Sequence, residues 1–266
     1  MNETPAREGS GSGQAPGTPE AADPRPAAGA ADSGRADLAP GLLTAIAALL
    51  TIGTAATDVV SFTRLGSVFA SVMTSNIVLL GLAAARQSAT LAGHAAVSFA
   101  GYVIGVAAAS RLARQGGGPG RKGWTPWIAA ALVAETGVFV IFTIGWEVTG
   151  TKPAGGAQLF LLAIATVAMG MQSAVVVAMG IAGVSTTYMT GTLTILIETL
   201  ASPDRRKGAD ARQIIVLLAL VAGAGLSGLL LATVPSAVPA ILFAVLVGVI
   251  GIGTGLLRPR RRRPPV

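Results

Sequence analysis

The chain contains no cysteine and a single histidine. The first absence removes a disulfide framework, a thiol nucleophile and every cysteine-based metal site, and says nothing about redox compartment. The second leaves no metal-ligand spacing to read, so neither a metal nor a cofactor is expected. Charge is also scarce, at 12% of residues, about half the share of a soluble domain. Nothing matches G-x-x-x-x-G-K-[ST], so ATP drive is not indicated. No nucleophile-elbow motif supports a Ser/His/acid triad, and an enzyme is not expected. From Asn2 to Ala36 there is no Leu, Ile, Val or aromatic residue. Residues 1–36 cannot bury enough apolar surface to offset chain entropy and read as a disordered Pro/Gly/Ala-rich tail. With no basic stretch abutting an apolar one, that tail does not read as a signal peptide.

What the chain has in abundance is hydrocarbon. It is 52% hydrophobic, with a mean hydropathy of +0.68. Apolar runs occupy about 38–59, 67–85, 90–111, 125–146, 157–180, 184–201, 211–233 and 237–257. Several reach the roughly 20 residues that cross a bilayer as a helix. Backbone groups in hydrocarbon must be satisfied within their own segment, so the fold class is all-α, a polytopic membrane helix bundle. The alternating ten-residue segments of a β-barrel are absent. The membrane domain is expected over 37–257, in halves of about 38–146 and 157–257, followed by a basic tail at 258–266.

Two runs, 67–85 and 184–201, are short, and charge decides how they are threaded. If all eight runs cross, Arg111, Arg114, Arg121 and Lys122 fall on the face opposite the other basic clusters. If the two short runs enter and leave on one side, only Arg64, Arg86 and Lys152 of the 19 Lys and Arg residues lie outside. Six full crossings plus two broken or re-entrant segments are therefore expected, with eight crossings as the alternative. Both termini are then cytoplasmic. The formal net charge of +7 is accounted for by this orientation and by a C-terminal anchor on anionic lipid, so no nucleic acid is expected.

The short runs share a polar motif. Met73, Thr74, Ser75 and Asn76 align without gaps on Met189, Thr190, Gly191 and Thr192, and the apolar continuation Ile77–Leu80 faces Leu193–Leu196. The chain also reads Thr57, Asp58, Ser61 and Phe62, then Gly66, Val68 and Phe69. In its second half come Ala168, Met169, Gly170, Gln172 and Ala174, then Gly183 through Thr194 as "GVSTTYMTGTLT". At these residues the sequence resembles the YoaK-like family of bacterial membrane proteins, of unknown function, over about 42–257. The resemblance implies a bacterial plasma (inner) membrane protein and supplies no substrate. Ser75 stands where the family pattern has glycine.

An internal duplication whose two short segments are separated by three crossings is inverted, and inverted repeats with broken helices build central sites in many transporters. Thr74, Ser75, Asn76, Thr190, Gly191 and Thr192 are the candidate substrate-binding residues, with Gln172 beside them. The bland reading of such side chains is interhelical glue. Ionisable groups inside spans default to functional hypotheses, so Asp58, Glu135 and His94 are the candidates for proton or ion coupling. Their bland readings are an interfacial Asp58–Arg64 pair and a protonated Glu135 hydrogen-bonded to a neighbouring helix, with His94 as a candidate partner. The spacings Gly101-x-x-x-Gly105, Ala224-x-x-x-Gly228 and Gly251-x-x-x-Gly255 allow close helix approach, within the fold or between protomers of a homo-oligomer. The preferred function is a secondary transporter or channel-like permease for a small polar solute or ion. The rival is a non-transporting membrane scaffold or sensor.

Overall fold

The computed structural model describes residues 40–115, 124–179, 189–201 and 207–257. The N-terminal tail, the Gly116–Gly120 loop, the "GVSTTY" stretch at 183–188 and the basic C-terminal tail lie outside the described residues. Among the described residues eight α-helices follow one another, with no strand. They are α1 (Pro40–Arg64), α2 (Met73–Ala85), α3 (Ala89–Gln115), α4 (Pro126–Val148), α5 (Gly155–Met179), α6 (Met189–Ala201), α7 (Lys207–Thr233) and α8 (Val238–Leu257). Six of them, all but α2 and α6, are long and apolar enough to cross a membrane. At 1.5 Å per residue the 13 residues of α2 and of α6 each make about 20 Å, well short of a hydrocarbon core of roughly 30 Å.

Punctuation along the chain matches local chemistry. α1 gives way to a turn at Gly66 (φ +105) and Ser67 (φ 59), where glycine adopts a backbone that side chains resist. A Cβ on Gly66 would also collide with the ring of His94. α4 opens with Pro126 in its first turn, where the missing N–H costs nothing. It closes through Gly150 (φ 59), whose N–H donates to the Glu147 carbonyl at 3.0 Å.

α1 and α5 are the most buried spans, α3 and α7 the least. α3 lies on α5, α1 on α7, α4 on both α5 and α8, and α1 on α8. The closest approach is between small residues. A Cβ on Gly105 would meet the Val167 carbonyl, and one on Gly170 the Tyr102 carbonyl, so α3 and α5 touch backbone to backbone. Gly223 stands in the same relation to Ile52 across α1 and α7. Gly251, Gly255 and Gly228 face open space instead. At one end of the bundle Phe142 stacks on Trp146, with centroids 5.9 Å apart. The Trp146 indole N–H donates to the Pro235 carbonyl at 3.0 Å.

Candidate functional site

The loop between α1 and α2 does not stay at the end of α1; it folds back into the bundle. Asn76 and the Phe69 carbonyl both reach the Ser98 hydroxyl, at 2.7 Å each. Ser98 lies nine residues inside α3, about 14 Å from that helix's start. α2 therefore begins deep among the spans and returns to the level at which α3 begins, joined to it by a short turn at 86–88. Irregular backbone survives at such depth only where protein groups satisfy it, and three side chains do so here. Asp58 Oδ1 accepts from the backbone N–H groups of Ala70 and Ser71, both at 2.8 Å. Its Oδ2 accepts from the Ser71 hydroxyl at 2.6 Å. Asn76 accepts from the Phe69 N–H at 3.0 Å and donates to the Phe69 carbonyl at 2.7 Å.

Beside this re-entrant loop is a cavity of about 390 Å³ bounded by α1, the loop, α6 and α7. α1 contributes Asp58 and Phe62, the loop Phe69 and Ser71, α6 Thr190, and α7 Leu220 and Ala224. The lining is mostly apolar, and among the described residues Asp58 is its single ionisable group. Phe62 and Phe69 stack with centroids 5.2 Å apart and planes at 26°. Phe62 and Thr190 are exposed, so the cavity opens at the surface of the bundle. Thr190 brings the start of α6 to within one cavity of the start of α2.

The candidates read from sequence separate into groups. Asp58 and Thr190 share the cavity. Asn76 is fully buried and committed to Phe69 and Ser98. Gln172 is buried on α1, donating to the Leu50 carbonyl at 3.1 Å and the Thr54 hydroxyl at 2.7 Å. Thr74 is exposed, and Ser75 and Gly191 are half-buried; none of the three lines the cavity. The side chain of Thr192 lies outside the described residues. The expected Asp58–Arg64 pair is replaced by the loop contacts: among the described residues Asp58 meets backbone and Ser71, not a basic group. His94 does not meet Glu135 either. Its Nδ1 lies 2.7 Å from the Thr90 carbonyl and its Nε2 3.1 Å from Gln158 Oε1, and the Gln158 amide donates to the Arg64 carbonyl at 2.9 Å. Glu135 is fully buried on α4, and neither carboxyl oxygen has a partner among the described residues. Sequence reasoning alone does not reach Phe62, Phe69 and Ser71 as site residues. Two of them stood within the motifs that carry the resemblance, but an aromatic in an apolar run announces no role by itself.

The family model described as "Protein of unknown function (DUF1275)" matches residues 46–252. The chain belongs to that family. The match takes in the re-entrant loop, the cavity and both short helices of this DUF1275 member. It is similar to the UPF0700 transmembrane protein YoaK of Bacillus subtilis (strain 168), with 29% identity over 153 residues, 58% of this chain. The alignment spans 65% of that relative, short of two thirds of its length. No solved structure matches the chain. The chain is thus a multi-pass membrane protein of a family whose function is unknown.

Proposed function

We propose that the protein is a permease, a secondary transporter or channel-like pathway, for a small polar solute, and that the cavity between α1, the loop, α6 and α7 is its binding site. The observation carrying this reading is the meeting of Asp58 and Ser71 from the first half with Thr190 from the second in one cavity. A protein that only needed to pack helices has no use for an open space that gathers polar groups beside a re-entrant loop.

Helix pairing supports reading the halves as an inverted duplication. If α1–α4 are laid on α5–α8, α3 on α5 maps onto α7 on α1, α4 on α5 onto α8 on α1, and α2 on α3 onto α6 on α7. The pairs α1 with α5 and α4 with α8 map onto themselves. With three crossings between the short helices the halves run in opposite senses, the arrangement that places broken helices around a central site. The gathering of basic residues on one face supports a cytoplasmic placement of both termini, in a bacterial plasma (inner) membrane.

The test is flux across vesicles reconstituted with the full chain. Asp58→Asn and Ser71→Ala combined with Thr190→Ala are each expected to cut solute flux by about tenfold, equivalent to about 1.4 kcal/mol. Unaltered flux of every solute that the wild-type chain carries sinks the reading. A second reading, a non-transporting scaffold or sensor, draws on Asn76 and Gln172, whose hydrogen bonds are spent within the fold. It expects Thr190→Val to lower melting temperature and to leave all fluxes at the empty-vesicle level.

A further inference from the structure

We propose that the cavity takes an amphipathic organic cation, a small substituted ammonium with an aromatic or apolar body, in exchange for a proton on Asp58. The inference rests on reading the cavity as the solute site and names the chemistry of its occupant.

The Asp58 carboxylate is held in place by three donors, none of which carries a charge. Among the described residues, the elements around it place no counter-charge beside it. On α1 the other ionisable residue is Arg64, at the helix end; the loop 65–72 and α2 have none. α5 and α8 have none, and α7 carries Lys207, Asp210 and Arg212 before its first cavity residue, Leu220, and none after. α6 carries Glu198, more than two turns from Thr190. On α3, His94 is engaged with Thr90 and Gln158, and Arg111 and Arg114 lie more than three turns beyond Ser98, where the loop meets that helix. A carboxylate so placed in hydrocarbon is either protonated or paired with a cation from outside.

The walls select the kind of cation. Phe62 and Phe69 present stacked rings, and an aromatic face attracts a positive charge. Val59, Val72 and Leu220 complete an apolar wall suited to a hydrocarbon body. About 390 Å³ falls within the range of cavities that hold small organic ligands. A bare metal ion asks for about six oxygens. The cavity supplies the side-chain oxygens of Asp58, Thr63, Ser71 and Thr190, of which the Thr63 hydroxyl already donates to the Val59 carbonyl, and among the described residues no cluster of three His, Cys, Asp or Glu exists. An anion would face Asp58.

The exchange balances. The ammonium settles beside the carboxylate as the carboxyl O–H gives its proton to water, and the site is neutral before and after. Neutrality in both states is what lets a loaded site cross low-dielectric surroundings in either direction.

Equilibrium calorimetry on the full chain in detergent tests this, with benzyltrimethylammonium as the probe and neopentylbenzene as its neutral isostere. The cation is expected to bind, with its apparent Kd rising about tenfold per unit of acidification while Asp58 is protonated. Its heat should vary with buffer ionisation, as release of one proton requires. Asp58→Asn should weaken it more than about tenfold. Phe62→Leu, which removes the ring stacked on Phe69 at an exposed position, should weaken it about threefold, with an unchanged melting temperature as the control for folding. Equal binding of neopentylbenzene, stronger binding of benzoate, or competition by millimolar sodium overturns the inference. So does wild-type affinity in both variants. If the cation binds with proton release but no flux follows in vesicles, the inference stands and the permease reading falls. If another solute is carried while no cation binds, the reverse holds.

Discussion

At the scale of single residues, polarity inside this bundle is spent in two ways. Asn76 turns inward and satisfies both backbone groups of Phe69, while Thr74 beside it is exposed. Asn76→Ala would leave the Phe69 N–H unpaired at depth, while the Phe69 carbonyl keeps the Ser98 hydroxyl, a cost of about 2 kcal/mol. Thr74→Ala should stay within about 0.5 kcal/mol of wild type, as surface changes generally do. Thermal melts of the two variants in one detergent check the contrast, and equal losses would refute the division of labour. That Asn76 matters was legible in the sequence; what it binds was not. Its partner is main chain seven residues earlier, and backbone carbonyls have no sequence signature. Ser71 and Leu220 are likewise ordinary letters in apolar surroundings until the fold brings them to Asp58, and Ala224, readable as a helix-contact spacing, gives no sign of lining a cavity.

At the scale of elements, spans and half-spans were readable because bilayer thickness fixes helix length. The Gly101 and Gly105 spacing was readable as a close approach, but not its partner, since small-residue stripes match any other small stripe. The partner is α5, with Gly170 entering from the other side. Gly105→Val must push α3 away from α5 and is expected to abolish the monodisperse folded peak in size-exclusion chromatography. Gly251→Ala, which meets nothing within 4 Å, should elute and melt as wild type. If Gly251→Ala instead shifts elution to a smaller species, that face of α8 joins protomers. The α1–α2 turn depends on Gly66 in two ways at once, through its positive φ and its contact with His94.

At the scale of the whole molecule, threading is checked by cysteines placed in a chain that has none. Arg86→Cys and Lys152→Cys should label with an impermeant thiol reagent from outside, Gly117→Cys and Lys207→Cys from inside. Labelling of Gly117→Cys from outside, with the other three from inside, would mean eight crossings and would remove the inverted repeat. The re-entrant loop has one more consequence, in the order of synthesis. Asn76 and the Phe69 carbonyl are tied to Ser98, which emerges from the ribosome 22 residues after Asn76. Until α3 is made, Asp58 and Asn76 already hold the backbone of the dipping loop, but one amide hydrogen of Asn76 has no partner in lipid. The first two helices can therefore form most of their contacts early, and the last polar group of the dip is paired only once the chain has run past Ser98.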